Sequence, residues 1–230
     1  MQEALLFALD AHQFHQQQKR KGKDVPYIVH PLAVGLLLAH AGAKEETIVA
    51  GILHDTIEDS TPEHKVTKQI LSERFGPEVA RLVASVSETD KTLPWAERKR
   101  RALEDIARFD EESVLVKSAD VICNAEELLS DYARDGDEVF SRFNAGKEKY
   151  LVSQMRVIRA LVVRWPDNPL SERLTFILRR LAFMGDDSYR KAAFPTLAIP
   201  SAEYTPQMAM VCPVCGWSGT VKGDKEAGSS

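Results

Sequence analysis

Cysteine is scarce in this chain, and its scarcity excludes a disulfide scaffold. Three cysteines, Cys123, Cys212 and Cys215, stand among 230 residues, too few for the disulfide framework of a secreted domain. The N-terminal segment lacks the basic start of a signal peptide. The longest apolar stretch, 32–43, is shorter than the roughly 20 residues that span a bilayer. These absences predict a cytoplasmic protein with no membrane association.

An excess of positive charge is also missing. Lysine and arginine number 30 against 34 aspartates and glutamates, giving a net charge of −4. This balance argues against a nucleic-acid binder but leaves room for a local basic patch. With 44% hydrophobic and 28% charged residues, the composition is ordinary for a globular protein. At about 100–200 residues per domain, the length allows one domain, or one with a small appendage.

Helical periodicity dominates the chain, and no run of alternating strand residues is found. After Gly185 the pattern gives way to a proline-bearing extended segment and a polar tail. The sequence therefore predicts an all-α domain with an irregular C-terminal extension. The expected helices cover about 2–18, 31–42, 45–58, 66–74, 77–87, 94–109, 112–134, 137–164 and 170–183.

Four polar residues end the apolar third helix. His54 and Glu58 are four residues apart, as are Asp55 and Asp59, so a continuous helix would place two polar pairs along adjacent strips. Burying these groups is costly unless they are paired or bind a metal, and imidazole with carboxylate suits Mn²⁺, Fe²⁺ or Zn²⁺. The alternative is a solvated helix end with ordinary surface acids.

Two further polar residues lie in apolar surroundings. His30, in PYIVHP, precedes a helix-starting proline, and alone it is more often a hydrogen-bonded core histidine than a ligand. Asp120 interrupts the apolar run VLVKSADVI, with Asn124 one helical turn later. A buried aspartate needs a cation. That cation could be a metal, or it could be the nearby Lys117.

The order His30, His54-Asp55, Asp120 resembles the H…HD…D motif of the HD-domain phosphohydrolases. The stretches QKRKGKDVPYIVHPLAV, TIVAGILHDTIEDS and KSADVICNAEEL resemble the hydrolase domain of RelA/SpoT-type proteins, and in particular the stand-alone small alarmone hydrolases. The resemblance covers roughly 4–165 and implies a multi-helix HD-domain bundle. It predicts a phosphohydrolase domain over 1–168, a helical and extended segment over 169–205, and a CxxC knuckle with a flexible tail over 206–230.

The resemblance also implies the roles of individual residues. One divalent ion, usually Mn²⁺, would be held by His30, His54, Asp55 and Asp120, and the acids Glu58 and Asp59 would orient or deprotonate the attacking water. Arg20 and Lys21 would contact the nucleotide, and Asn124 would contact it or support the metal site. Further substrate contacts would fall on Lys147 and Tyr150, for which a plain surface position is an equal alternative.

Two departures from the family pattern bear on specificity. The loop RKGKDVPY is one residue longer than the common RKxGxPY form. Where the family has ADRLHN, this chain has ADVICN, so Val121 and Cys123 replace an arginine and a histidine. Cys123 is expected to be a small buried residue. Neither change removes an implied metal ligand.

Near the C terminus, Cys212 and Cys215 form a single CxxC knuckle followed by Gly-Trp. A closed zinc site needs four ligands, and no second pair follows. A Zn²⁺ shared by two chains of a homodimer is one interpretation, and a degenerate knuckle with reduced thiols is the other.

The leading hypothesis is a Mn²⁺-dependent guanosine-3′,5′-bis(diphosphate) 3′-pyrophosphohydrolase, which would release pyrophosphate and GDP or GTP from a small nucleotide substrate. One alternative is an HD phosphohydrolase acting on another nucleotide, which the altered segment 121–123 keeps open. Another is a non-catalytic nucleotide sensor, against which the intact pair Glu58 and Asp59 argues.

Overall fold

The computed structural model describes residues 1–88 and 90–185, together with the backbone of 210–211 and 218–219. The chain divides into two compact units, Met1–Ala193 and Phe194–Ser230. The predicted zinc site at Cys212 and Cys215 and the predicted flexible tail lie outside the described residues.

The first unit is built of α-helices, which confirms the all-α fold class. Short helical turns of other kinds follow two of the helices, a π-helical turn at Asp10–Phe14 and a 3₁₀ turn at Gly136–Arg142. Among the described residues, no helix is both long and apolar enough to cross a membrane. The helices are α1 (Gln2–Leu9), α2 (Val29–His40), α3 (Glu45–Leu53), α4 (Thr56–Asp59), α5 (Lys68–Phe75), α6 (Pro77–Val86), α7 (Trp95–Ile106), α8 (Glu111–Asp135), α9 (Gly146–Arg164) and α10 (Ser171–Met184).

Helix α8 forms the centre of this unit. It begins at Asp110, whose side chain accepts a hydrogen bond from the backbone N–H of Ser113. Its first half is buried on nearly every side, from Ser113 to Ile122, because α2, α3, α6, α9 and α10 all pack against α8. Asp120 therefore lies inside the core. Since α10 packs on both α8 and α9, it belongs to the same compact unit, and the domain boundary at 168 stays a prediction.

Two glycines bring α2 and α3 into close contact. A Cβ atom on Gly51 would lie 2.2 Å from Cδ1 of Leu38, and one on Gly35 would lie 2.6 Å from Cγ1 of Ile52. Only hydrogen fits at these positions, so the two helices approach more closely than larger residues would allow. The close approach matters because α2 carries His30 and the end of α3 leads into His54.

Several predicted helices are interrupted in the structure. One continuous helix over 45–58 is wrong: α3 ends at Leu53, and α4 begins only at Thr56. The predicted helix over 137–164 is divided: the 3₁₀ turn ends at Arg142, and α9 begins only at Gly146, whose positive φ angle of 69° departs from the helical path. The helix over 2–18 changes to the π-helical turn after Leu9.

The second unit contains a short pair of strands that the sequence did not predict. Strand β1 (Met210–Val211) pairs antiparallel with β2 (Ser218–Gly219), and Met210 lies opposite Gly219.

Candidate metal centre and substrate cavity

Four side chains from three parts of the fold meet at one point. His30 lies in the first turn of α2, His54 and Asp55 lie between α3 and α4, and Asp120 lies in the middle of α8. The two Nε2 atoms of the histidines are 3.3 Å apart. Nε2 of His54 lies 2.9 Å from Oδ2 of Asp55, and Nε2 of His30 lies 3.3 Å from Oδ1 of Asp120. The structure thus brings together all four predicted metal ligands.

The donor set fits a divalent cation. Nδ1 of His54 lies 2.7 Å from the carbonyl oxygen of Gly51. A proton on Nδ1 would donate to that oxygen and leave the lone pair of Nε2 facing the other histidine and the carboxylates. Several acceptors facing one another repel unless a cation lies between them. Ligand pairs about 3 Å apart match a metal with bonds of about 2.1 Å. Even without Asp120, the side chains of His30, His54 and Asp55 form a group that could hold a metal ion.

The pKa values of His54, Asp55 and Asp120 also indicate that this site stabilises positive charge. Burial by itself would lower the pKa of His54, but the carboxylates of Asp55 and Asp120 outweigh burial and hold that pKa well above its usual value. Burial would raise the pKa of Asp55 and of Asp120, and neighbouring positive groups instead keep both below their usual range. The site favours whichever positive charge reaches it, a proton on imidazole or a metal ion.

Asp120 is placed to face both of the cations that the sequence left open, Lys117 and a metal ion. Its Oδ2 accepts a hydrogen bond of 2.8 Å from Nζ of Lys117, while its Oδ1 faces His30. Asn124 also donates to Oδ1 through its side-chain amide, at 2.6 Å. One oxygen is therefore paired with lysine and the other is directed to the metal centre, so the two interpretations are compatible.

Tyr27 contacts the centre and was not among the predicted site residues. Its hydroxyl donates a hydrogen bond of 2.5 Å to Oδ2 of Asp55. Burial, together with the charge of Asp55, raises the pKa of Tyr27 far above its usual value, so the hydroxyl stays protonated and able to donate. Its place in PYIVHP, three residues before His30, is the only sequence signal for this role.

Glu58 lies beside the metal centre on the cavity wall. Its Oε2 accepts a hydrogen bond of 3.0 Å from the backbone N–H of Glu88, and its Oε1 lies 3.5 Å from Nζ of Lys91. Burial raises the pKa of Glu58 above its usual value, and the nearby negative charge of Asp55 acts in the same direction. A carboxylate of raised pKa is a stronger base than an ordinary glutamate.

Asp59 differs from Glu58 in its surroundings. Both of its carboxylate oxygens are engaged: Nε2 of Gln18 donates to Oδ2 at 3.0 Å, and Nζ of Lys91 donates to Oδ1 at 2.8 Å. Within the described residues, Glu58 lines the cavity and Asp59 does not. This arrangement suits Asp59 to holding its neighbours in place rather than to contacting water.

The metal centre opens into a cavity of about 480 Å³. Of the predicted substrate contacts, Arg20, Lys21, Asn124 and Tyr150 line it, whereas Lys147 is not part of the described wall. Lys147 forms an ion pair of 2.6 Å with Asp137 and lies near two aromatic rings. Its predicted substrate contact stays a prediction without support from this arrangement.

A second group of cations, which was not among the predicted site residues, faces the cavity from α7. Arg98, Lys99 and Arg101 all line the cavity. Arg98 forms an ion pair with Glu88, the residue whose backbone N–H holds Glu58. The charged character of α7 was visible in the sequence, but nothing there indicated which of its faces meets the metal centre.

The two replaced residues of the ADVICN segment, Val121 and Cys123, have different surroundings. Val121 is buried and lines the cavity, so the change from arginine removes a cation from the wall. Cys123 is partly exposed rather than fully buried, and burial raises the pKa of its thiol to about 12. A thiol with this pKa is a poor nucleophile at neutral pH.

A helical bundle around a buried histidine–aspartate cluster, with an acid beside it in an open cavity, defines the class of metal-dependent phosphohydrolases. Residues 4–149 match the profile of the HD domain. The chain belongs to the HD-domain family.

The curated relatives and solved structures agree with this membership. The guanosine-3′,5′-bis(diphosphate) 3′-pyrophosphohydrolase MESH1 of Xenopus tropicalis is 38% identical over 128 residues, covering 55% of this chain and 68% of the relative. The human protein of the same name is 40% identical over 128 residues, 54% of this chain and 69% of the relative. A solved structure of a metazoan SpoT ortholog that hydrolyzes ppGpp superposes with a TM-score of 0.62 at 27% identity, covering 78% of this chain and 93% of that one.

Proposed function

We propose that this chain is a guanosine-3′,5′-bis(diphosphate) 3′-pyrophosphohydrolase, which hydrolyses (p)ppGpp to GDP or GTP and pyrophosphate. One observation carries the proposal: two of the four converging ligands, Asp55 and Asp120, line a single cavity together with Glu58, whose pKa is raised, and two groups of cations. The names of the curated relatives support the same substrate. A nucleotide with two diphosphate groups needs cations at more than one place.

His30, His54, Asp55 and Asp120 would hold a divalent ion, for which we propose Mn²⁺. Oxygen and imidazole ligands together suit such a metal. When bound, the ion would polarise the phosphorus under attack and increase the acidity of a nearby water. Lys117 and Asn124 hold Asp120, and Tyr27 holds Asp55, so the orientation of both carboxylates is fixed by the protein.

Glu58 is the proposed general base. It would take one proton from the attacking water as the water oxygen forms a bond to phosphorus and the bond between phosphorus and the 3′ oxygen breaks. The same proton can then pass to the 3′ oxygen, which regenerates the carboxylate. Asp59 would keep Lys91 beside Glu58, since Lys91 contacts both acids. Asp59 would thus act on the base rather than on the water.

Arg20, Lys21, Asn124 and Tyr150 are the proposed nucleotide contacts at one side of the cavity. Arg98, Lys99 and Arg101 of α7 offer positive charge for the second diphosphate group. The protein would act on small nucleotides in the cytoplasm rather than on nucleic acid or at a membrane. A homodimer, and zinc at Cys212 and Cys215, remain predictions.

The test is direct. Purified protein loaded with Mn²⁺ is incubated with ppGpp, and GDP and pyrophosphate are measured, with Asp55→Ala alongside. We expect pyrophosphate release that is lost in Asp55→Ala and on addition of EDTA. No release from wild-type protein that still binds Mn²⁺ would reject this substrate and favour another nucleotide.

A further inference from the structure

The guanidinium of Arg20 is held by an acid that the proposed mechanism does not use. Nε and Nη2 of Arg20 donate to Oε2 of Glu127 at 2.8 and 2.5 Å. The same Nη2 donates to Oδ1 of Asn124 at 2.7 Å, and the guanidinium lies 5.2 Å from the ring centre of Tyr27. The side chain of Arg20 is 12% exposed. Each of these contacts is made to a residue of the cavity wall.

The donors of Arg20 are divided in a way that suits a ligand. Glu127 and Asn124 use Nε and Nη2, and Nη1 has no hydrogen-bond partner among residues 1–88 and 90–185. Arginine presents five N–H donors in a rigid plane. Arg20 can therefore give Nη1 to a phosphate oxygen while it keeps both of its protein partners. Glu127 does not have to be displaced when substrate binds.

Arg20 is also connected to both carboxylates of the metal centre. Asn124 accepts from Arg20 and donates to Oδ1 of Asp120 at 2.6 Å. Tyr27 lies under the guanidinium and donates to Oδ2 of Asp55. Two short chains of contacts thus lead from Arg20 to two of the proposed metal ligands.

Glu127 and Asp131 form an acidic pair that attaches the loop over 20–27 to α8. Nζ of Lys23 lies 2.6 Å from both Glu127 and Asp131, and Arg142 also contacts Asp131, at 2.6 Å. Glu127 and Asp131 are four residues apart, one turn of α8. The loop that carries Arg20 is in this way fixed to the helix that carries Asp120.

We propose that Glu127 is a positioning residue of the active site. It holds the guanidinium of Arg20 in the orientation that leaves Nη1 for the nucleotide and that keeps Asn124 and Tyr27 against the metal-binding carboxylates. A long flexible side chain that is ordered before binding loses less entropy when the substrate arrives. The inference rests on the proposed function where it is tested by KM for ppGpp, but its test by Mn²⁺ affinity does not depend on the substrate.

The chain contains a matched control next to Glu127. Glu126 lies on the same helix and forms a two-point ion pair with Arg173, at 2.7 and 2.6 Å, but does not line the cavity. Glu126→Ala and Glu127→Ala each remove one acid from α8 and favour the helix equally. The two variants differ in whether the lost ion pair orders Arg20.

The experiment compares wild type, Glu126→Ala, Glu127→Ala, Arg20→Met and the double variant of Arg20 and Glu127. For each, KM for ppGpp is measured at saturating Mn²⁺, and the Mn²⁺ dissociation constant is measured by electron paramagnetic resonance without nucleotide. We expect Glu127→Ala to raise KM about tenfold with a smaller change in kcat, and to weaken Mn²⁺ binding about threefold. Glu126→Ala should match wild type in both.

The double variant decides between positioning and a general effect. If Glu127 acts through Arg20, adding Glu127→Ala to the Arg20→Met variant should change neither KM for ppGpp nor the Mn²⁺ dissociation constant any further. An equal additional loss in the Arg20→Met background would overturn the proposal. So would a lower KM in Glu127→Ala, which would mean that Glu127 merely repels the anionic substrate.

The result remains decisive if the substrate is wrong. Wild type that binds Mn²⁺ and leaves ppGpp intact would reject the proposed function, and the same five proteins would then be compared by their Mn²⁺ dissociation constants alone. Identical constants for Glu127→Ala and Glu126→Ala would reject the positioning role. Thermal unfolding of all variants shows whether each is folded.

Discussion

At the metal end of the site, His30, His54 and Asp55 are fixed by helices in close contact, whereas at the basic end of the cavity Arg20 is fixed by an ion pair with Glu127. The histidine side chains are 2% and 3% exposed, and Gly35 and Gly51 allow α2 and α3 to approach beside them. The loop around Arg20 instead depends on acids of α8.

The difference follows from what each end must do. A metal needs ligand atoms held within a few tenths of an ångström, and a packed core supplies that constancy because it resists small displacements. A nucleotide must enter and leave, and ion pairs near solvent can order a loop without enclosing it. The two ends should therefore respond differently to substitution, pH and salt.

The largest effect is expected at the metal end. His54→Ala removes a proposed ligand, so the variant should lose Mn²⁺ binding and hydrolysis together. We expect Mn²⁺ binding to weaken more than about 100-fold, because removal of a residue that only supports a ligand costs up to about that factor. Mn²⁺ titration and pyrophosphate release on the same sample test this. His64→Ala, at an exposed position, is the control. Undiminished Mn²⁺ binding by His54→Ala would exclude His54 as a ligand.

Glu58→Gln should separate binding from turnover. The amide keeps the size of the side chain but cannot take a proton, so kcat should fall about 10²- to 10⁴-fold while Mn²⁺ affinity and KM stay near wild type. Steady-state kinetics at saturating Mn²⁺ measure the separation. Full activity of the variant would show that another group accepts the proton.

The pH dependence of kcat should carry the signature of Glu58. A base works when it is deprotonated, so kcat should rise as the pH increases through the pKa of Glu58, by about tenfold per pH unit on the acid side. Because burial raises that pKa, the acid limb should lie above the value of an ordinary glutamate. The profile is measured with Mn²⁺ saturating at every pH. Glu58→Gln should lack this limb, and its persistence there would assign it to another group.

Gly51→Ala tests the packing behind the metal end. The added methyl group would meet Leu38 at 2.2 Å, and relief of such a contact costs about 1–3 kcal/mol of unfolding free energy. Urea unfolding of the variant gives this value. Lys68→Ala, on the exposed side of α5, should change it by less than about 0.5 kcal/mol. Equal stability of the two variants would mean that α2 and α3 adjust at no cost.

Salt should affect the basic end, though with a smaller effect. The whole chain carries −4, whereas the cavity wall has as many basic as acidic side chains, and its basic ones include Arg20, Lys21, Lys99 and Arg101. If these local cations attract the substrate, KM should rise about three- to tenfold between low and high ionic strength. A KM that falls with added salt would mean that the net negative charge dominates. The measurement is a series of KM values at constant Mn²⁺ saturation.

The ordered motifs in the sequence indicated His30, His54, Asp55 and Asp120, and the structure brings all four together. Helical spacing predicted the arrangement of the acids less well. One continuous helix from His54 to Asp59 is not formed, because α3 ends at Leu53, and Asp59 contacts Gln18 and Lys91. Glu58 and Asp59 therefore have separate environments that the spacing did not predict.

Contacts between distant residues could not be read from any local pattern. Tyr27 reaches Asp55 across 28 positions, and Arg20 reaches Glu127 across 107. Lys23, in the same loop as Arg20, is paired with Glu127 and Asp131 on α8. A hydrophobic or helical period describes one element at a time, so it says nothing of which charged side chains meet when two elements pack.

The sequence by itself determined that the chain up to about Gly185 is mainly helical, that the pattern changes after that residue, and which residues are candidates for a metal centre. These features depend on periodicity and on motifs within short segments. The tertiary structure decided which oxygen of Asp120 faces the histidines, that Glu58 faces the cavity while Asp59 does not, and that Glu127 holds Arg20. Those outcomes depend on how helices pack around α8, because packing alone sets the distances over which hydrogen bonds and ion pairs form.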